Sequence, residues 1–388
     1  MPVEITVTCF CGKGLQKLEL MAEEPPTSIT LCHCNGCSSV TGLLCASYIP
    51  VVPPEVVDGL SHYSTTPSSF RYFCSTCGCH MYRSSHSMEV LEDPRWEVAT
   101  GVIIESPDHP WVPNVRHTKS SEIKDRGLFP FLKLPRADKP GLPKPSGSTS
   151  APELPETISA HCRCRRVSFI ITRPSQASTV PNSDYPDLLL PYHSTPYSTI
   201  ANPSSVKWWL RSNSPTANPP ATDALRHPSP STLASPPSDL RYLAGACACR
   251  SCRLSSGFEI QTWAFVPRAN ILYELYDRDD LFTLDFSLIP KNILKSYQSS
   301  DGGTREFCPG CGATVFWHDT RRPDIIDVSV GLLESSTGSR ATDFLSWWTE
   351  RVSFAEEVQK GRTGFMAGWA VTLIDTLENG LQTWQSQE

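Results

Sequence analysis

Apolar and polar positions along this chain fall into two runs of short alternating segments, followed by one long stripe with helical spacing. In the first run Val3 to Thr8 is β-branched, Leu15 to Leu20 alternates, and Leu44 to Val52 and Trp96 to Ile104 continue the pattern, the last interrupted by Gly101. Segments of this length, punctuated by Pro25-Pro26 and Gly59, predict strands and turns. The second run restarts at Val167 to Thr172 and continues with Trp263 to Val266 and Ile325 to Val330, closed by Gly331. Near the end of the chain Phe365, Trp369, Leu373, Leu377, Leu381 and Trp384 recur every three or four residues, which predicts an amphipathic helix. Such a stripe is expected to pack on a domain, because apolar helix faces are usually core.

Two stretches break the pattern. Residues 135–158 are rich in Pro, Ser, Gly and Lys and read as an extended linker. Residues 174–240 take 26 of their 67 positions from Pro and Ser, a composition that disfavours a regular sheet and predicts an insertion, mostly disordered or coil. Its one apolar cluster, Val206 to Leu210, is expected to dock on the domain body. The resulting division is a first domain at 1–134, the linker, a second domain at 159–360 carrying the insertion, and a terminal helix at 361–388.

A chain of 388 residues with 39% hydrophobic content can support two cores. No apolar run reaches the length that spans a bilayer, and the N-terminal residues lack the pattern of a secretory signal, so the cytoplasm is the expected compartment and a membrane is not expected as a partner. A net charge of −6 without Lys and Arg clusters argues against a nucleic-acid surface. Under these conditions 16 cysteines, grouped in pairs and triplets, read as reduced metal ligands.

Their spacing repeats. Cys9-x-Cys11, Cys32-His33-Cys34-Asn35-Gly36-Cys37 and Cys74-x-x-Cys77 return as Cys162-x-Cys164, Cys247-Ala248-Cys249-Arg250-Ser251-Cys252 and Cys308-x-x-Cys311. Thr41-Gly42 and Ser256-Gly257 follow the triplets in the same register, and both Tyr63 to Cys74 and Tyr297 to Cys308 span 11 residues, with Arg71 and Arg305 three positions before the cysteine. In each copy the first pair and the last pair make a four-thiol set suited to a closed structural zinc: Cys9, Cys11, Cys74 and Cys77, then Cys162, Cys164, Cys308 and Cys311. Cys32, Cys34, Cys37 and Cys247, Cys249, Cys252 remain, and three ligands with an open position suit a catalytic zinc. His33 is not expected to ligate, since Ala248 stands in its place in the second copy. Cys45 and Cys79 fit neither set and read as buried small residues.

The joint pattern resembles the glutathione-dependent formaldehyde-activating family, also called the centromere protein V domain. The resemblance rests on Cys-x-Cys-Gly, Cys-His-Cys-x-x-Cys with Thr-Gly behind it, and Arg-x-Phe-Cys-x-x-Cys-Gly after a Tyr, and it extends over roughly residues 3–134 and 159–355 apart from the insertion. The second copy departs at Arg165, where the pattern has glycine, and carries Glu306 where the first has Tyr72. The resemblance implies two tandem, mainly antiparallel β domains, each with a structural zinc and a fold similar to that of Rab-binding zinc chaperones. It also implies a second zinc per domain at the triplet, where the thiol of glutathione, as co-substrate, adds to a small aldehyde.

The expected function is therefore a zinc-dependent, carbon–sulfur lyase-like enzyme acting on thiol adducts of aldehydes or related carbonyl metabolites, with activity depending on Cys34 and Cys249. A zinc Lewis acid for hydration, dehydration or rearrangement in a natural-product pathway is an alternative. A zinc-stapled binding module using Trp208-Trp209 and the terminal helix is another, and a redox sensor a fourth.

Overall fold

The computed structural model describes residues 3–21, 28–55, 58–86, 94–108, 113–134, 137, 155–212, 240–273 and 281–385. The turn expected at Pro25-Pro26, most of the linker and residues 213–239 of the insertion lie outside this set. Mainly antiparallel sheets and one long terminal helix account for the architecture.

The alternating segments become strands within a residue or two of their expected limits, except that the strand expected at Trp96 to Ile104 is split by a 3-10 turn at Thr100–Val102 into Arg95–Ala99 and Ile103–Glu105. Val3–Val7 pairs with Gln16–Leu20, which reaches Ala46–Val51, and the sheet continues through Arg95–Ala99, His80–Ser85 and Ser69–Cys74 to Leu60–Thr66 at its edge. In the second half Leu240–Cys247, Gln261–Pro267, Ile325–Ser329, Thr314–Asp319, Gly303–Phe307 and Lys295–Gln298 follow one another across an eight-stranded sheet. Each half carries one parallel pair beside its triplet: Val115–Thr118 with Ile29–Cys32, and Leu345–Trp347 with Leu240–Cys247.

Among the described residues, α-helices are few and short except at the end. They are α1 (Asn35–Thr41), α2 (Tyr197–Ile200), α3 (Arg250–Ser256) and α4 (Phe365–Gln385). The apolar stripe of α4 is buried as expected, with Trp369, Leu373, Leu377 and Leu381 in the core. It lies against Phe129–Phe131 of the first half, so the end of the chain closes over its beginning. Gly380 permits this approach, since a Cβ there would lie 2.3 Å from the Phe131 carbonyl oxygen.

The expectation of two separately built cores meets a different arrangement. One continuous apolar cluster runs through both halves, from Ile5 to Leu381. The halves meet through contacts that come in exchanged pairs, as in a two-fold interface. Gly331 N–H donates to the Gly42 carbonyl at 3.1 Å, and Gly101 N–H to the Gly257 carbonyl at 2.9 Å. Phe10 N–H donates to Leu254 O at 2.9 Å, and Arg163 N–H to Ser39 O at 2.8 Å. The Phe73 ring covers Gly312 while the Phe307 ring covers Gly78.

A buried ion cluster crosses this seam without a counterpart among the described residues. The Glu259 carboxylate accepts from Ser47 Oγ at 2.9 Å and Thr100 Oγ1 at 2.6 Å in the first half, and from Arg362 Nη2 at 2.9 Å. Burial alone would raise the Glu259 pKa, but the Arg362 guanidinium and the hydroxyl donors hold it below the usual range. Nearby, Arg253 donates to Gly101 O at 2.6 Å and Lys360 O at 3.1 Å.

Residues 174–212, expected to be mostly disordered or coil, are mostly coil and turns, packed closely with one 3-10 turn, one short helix and the strand Leu210–Ser212. Proline and serine here stabilise turns rather than disorder, with Ser175 capping a 3-10 turn at Gln176–Thr179. The Val206 to Leu210 cluster does dock. Trp209 is fully buried and donates to Ser178 O at 2.9 Å, and Trp208 donates to Ser183 O at 3.2 Å while meeting Phe265 edge-on at 5.2 Å. Buried this way, the two indoles form no partner surface.

The C-cap glycines of α1 and α3 allow a direct test of the seam. Gly257 has φ +92°, and a Cβ there would sit 2.0 Å from the His80 carbonyl oxygen. Gly257→Ala is expected to destabilise the chain by about 3 kcal/mol or more, read as a lowered urea midpoint. A midpoint within error of wild type would show that the seam yields easily.

Candidate metal centres and a cavity over the second triplet

Backbone turns hold the four-thiol sets. In the first half Gly12 (φ +80°) and Gly78 (φ +78°) turn the chain back, with Gly12 N–H donating to Cys9 O at 3.0 Å and Gly78 N–H to Cys74 O at 2.9 Å. The second half repeats this with Arg165 N–H on Cys162 O and Gly312 N–H on Cys308 O. Arg165 adopts φ +59°, so the departure from glycine leaves the turn in place at a cost of about 1 kcal/mol of backbone strain.

All fourteen paired and triplet cysteines gather into four groups. Within each group the sulfurs lie within 4.8 Å of one another. Cys9 and Cys11 are 3.4 Å apart and Cys11 and Cys74 3.5 Å; Cys162 and Cys164 are 3.5 Å apart and Cys164 and Cys308 3.4 Å. Four thiolates at about 2.3 Å from one tetrahedral zinc would stand about 3.8 Å apart, so the donor sets fit that ion with small adjustment. The thiols also polarise one another strongly. Hydrogen bonds from Cys77 and Cys9 hold Cys74 far down, while the bond with Cys74 heads the influences that push Cys9 up to about 12.

The triplets are built on helix starts that the strand-oriented pattern did not reveal. Cys34 and Cys249 are the N-caps of α1 and α3, accepting from Cys37 N–H at 3.3 Å and Cys252 N–H at 3.2 Å. Each triplet has an arginine against its last sulfur: Arg71 Nη2 lies 3.1 Å from Cys37 Sγ, and Arg305 Nη2 3.3 Å from Cys252 Sγ. Sequence register had singled out both arginines without a role. Hydrogen bonds from Cys247 and Cys249, with the Arg305 charge added, hold Cys252 well below the usual thiol range against burial.

His33 lies outside the thiol groups. Its Nε2 is 3.0 Å from His117 Nδ1, and burial, reinforced by His117, pushes it down to about 3. Cys45 and Cys79 are buried apart from all four groups. Glu306, the other departure in the second half, accepts from Ser296 Oγ at 2.8 Å and is 3.0 Å from His318 Nε2.

The surroundings of the two triplets differ. In the first half Arg83 stands over the Tyr48 ring at 4.2 Å and binds the Glu97 carboxylate, with Nη2 on Oε1 at 2.7 Å. At the corresponding strand positions of the second half stand Trp317, Trp263 and Asp327. Around them opens a cavity of about 540 Å³ lined by all three triplet cysteines and Arg305. The ordered part of the insertion roofs it. Leu188 rests on Gly245, where a Cβ would meet its Cδ2 at 2.4 Å. Asp187 fastens this roof by accepting from Phe354 N–H at 2.7 Å, Ser353 Oγ at 3.1 Å and Arg351 Nη2 at 3.1 Å.

On the cavity wall Arg322 Nη2 donates to Asp327 Oδ2 at 2.9 Å. Burial pushes the Asp327 carboxyl up to about 6, Arg322 opposing and Cys252 adding to the shift. Asp327, Arg322 and the tryptophans carry no spacing signal in the sequence and emerge only when the sheet places alternate residues of neighbouring strands on one face.

Comparison with known proteins now adds one finding. Residues 238–351 match the family model described as glutathione-dependent formaldehyde-activating enzyme. That stretch holds the second triplet, Arg305, Cys308, Cys311 and Asp327. No curated protein and no solved structure matches the chain. No helix among the described residues is long and apolar enough to cross a membrane.

Two kinds of site predict two classes of metal. Protein purified without chelator is expected to carry about four zinc ions per chain and to fall to about two on mild dialysis against a chelator, the triplets emptying first. A constant two throughout would show that the triplets hold none.

Proposed function

We propose that the second triplet and the cavity above it form the reaction centre of a zinc-dependent enzyme that makes or breaks the carbon–sulfur bond of thiol adducts of carbonyl compounds, glutathione being the thiol. The observation that carries this reading is that Cys247, Cys249 and Cys252 line a roofed cavity. A closed structural staple has no use for one. The family match over 238–351 supports the same chemistry. The first half is read as a second copy of the same unit, whose sequence register and exchanged contacts resemble those of its partner half.

In the addition direction the thiol sulfur bonds to the carbonyl carbon, the S–H bond breaks, and the proton ends on the former carbonyl oxygen. The reverse breaks the carbon–sulfur bond and restores thiol and carbonyl. Cys247, Cys249 and Cys252 would hold the zinc, which would supply a positive centre favouring a thiolate at neutral pH and polarising a carbonyl. Arg305 steadies the triplet by bonding Cys252 and Ser251 Oγ, at 3.3 and 3.1 Å. Asp327, whose pKa burial raises to about 6, gives a proton to the carbonyl oxygen during addition and is reprotonated by the proton that leaves the thiol. The roof excludes water from the adduct.

Activity should follow the second triplet. With glutathione and an aldehyde as substrates, Cys249→Ser is expected to lower kcat/KM by about 100-fold or more, while the zinc of the four-thiol sets stays bound. Undiminished turnover would sink the assignment. Because Asp327 acts in its neutral form, the rate of addition should fall as pH rises through about 6, and Asp327→Asn should abolish that limb of the kcat/KM profile. A limb that survives in the variant assigns the proton transfer to another group.

A further inference from the structure

The charged groups inside the cavity and those at its mouth are used differently. Inside they are engaged with one another: Arg305 with Cys252, Arg322 with Asp327, and Asp187 with Arg351 and the backbone it fastens. At the mouth two lining residues keep hydrogen-bonding atoms free, Arg321 on the sheet side and Asp184 on the roof. Arg321 is fixed in orientation by buried Asp319, which accepts from its backbone N–H at 2.8 Å, from Nε at 3.0 Å and from Nη2 at 2.8 Å. That grip occupies one side of the guanidinium and leaves its end, Nη1 with the second hydrogen of Nη2, without a partner among the described residues. The Arg321 side chain is 65% exposed, so this end is accessible from the mouth. A guanidinium already held in place loses little freedom when it takes a carboxylate end-on.

Asp184 is a lining carboxylate with no cationic partner among the described residues. Tyr197 Oη donates to its Oδ2 at 3.3 Å, while Oδ1 accepts no hydrogen bond from the described residues. The two residues share one mouth. Tyr197, bonded to Asp184, is among the groups whose charge acts on Arg321, and Tyr192 is acted on by both Arg321 and Asp184. A free guanidinium end near a free carboxylate matches one chemical group, an α-amino acid terminus with carboxylate and ammonium on a single carbon. Glutathione carries that group at its γ-glutamyl end. A cavity of about 540 Å³ is in the range that receives drug-sized ligands, which includes a tripeptide thiol joined to a small carbonyl compound.

Resting on the reading above, the geometry points to a subsite for the thiol co-substrate: Arg321 takes the α-carboxylate and Asp184 the α-ammonium of its γ-glutamyl end, and the sulfur is directed to the second triplet. Asp184 belongs to the segment between Ser168–Thr172 and Leu240–Cys247, whose counterpart in the first half is only residues 21–28. The roof thereby supplies recognition as well as cover.

Binding can be tested apart from turnover with S-methylglutathione, which keeps both ends of the tripeptide and has no free thiol. Calorimetric titration of the zinc-loaded full chain is expected to show it binding at least about tenfold tighter than its N-acetyl derivative, which keeps the carboxylate and lacks the ammonium. Asp184→Asn should weaken S-methylglutathione about fivefold or more and leave the N-acetyl derivative nearly unchanged, whereas Arg321→Gln should weaken both. Arg321→Gln also removes the partner of a buried carboxylate, so Asp184→Asn, a change of one partly exposed group, carries the test if the first variant folds poorly. Absence of S-methylglutathione binding, equal affinity for the two ligands, or binding untouched by Asp184→Asn overturns the subsite. Turnover of glutathione with an aldehyde separates this proposal from the reading it rests on. The expected binding pattern in a chain without turnover keeps the subsite and removes the enzyme. Turnover whose KM for glutathione is the same in wild type and both variants removes the subsite and keeps the enzyme.

Discussion

The rest of the structure depends on the close approach of backbone to backbone where the two halves meet. At Gly42 and Gly257 the chain leaves a helix in the left-handed conformation and lies directly on the other half's strand, near enough that no side chain can intervene. The cysteine-capped helix of each half is thereby fixed by its partner half: α1 packs on Val330–Leu332 and α3 on Thr100–Val102. Neither triplet is positioned by its own half alone. Glu259 with Arg362 ties the seam further, at a desolvation cost that the hydroxyls of Ser47 and Thr100 and the backbone carbonyls reached by Arg362 offset.

Chemical roles and folding roles separate along the same lines. The four-thiol sets join the first strand pair of each half to a knuckle more than sixty residues further on, and a metal there links segments that hydrogen bonds alone would hold weakly. The triplets lie on helix starts at the seam, where fixed geometry matters more than cross-linking. Only around the second triplet has the wall been rebuilt, with Trp317 and Asp327 where the first half keeps the Arg83–Glu97 ion pair beneath Tyr48.

Much of the grouping of the cysteines was legible because thiols repeated at fixed spacing point to shared sites, and the strands were legible from alternation. The wall of the cavity was not. Trp263, Trp317, Arg322 and Asp327 come from three strands and the turn between two of them, and each taken singly is an ordinary strand or loop residue. At 174–212 composition left disorder and packed coil undivided, because proline and serine are as compatible with tightly hydrogen-bonded turns as with disorder, and only packing partners such as Trp208 and Trp209 decide between them. The shared core was hidden for a related reason. A repeat suggests independent units, whereas complementary surfaces between its copies leave no mark on the spacing of residues within each one.

Asp187 gives the roof a property that its length would not suggest. Its Oδ2 ties the roof to the segment at Ser353 and Phe354 while its Oδ1 accepts from Tyr192 N–H within the roof, and Val352 N–H in turn donates to Glu378 on α4 at 2.7 Å. The cover of the cavity is thus moored, through one carboxylate and one short loop, to the helix that ends the chain and rests on the opposite half. The roof over the second triplet and the docked last helix share one anchoring segment, Val352 to Phe354.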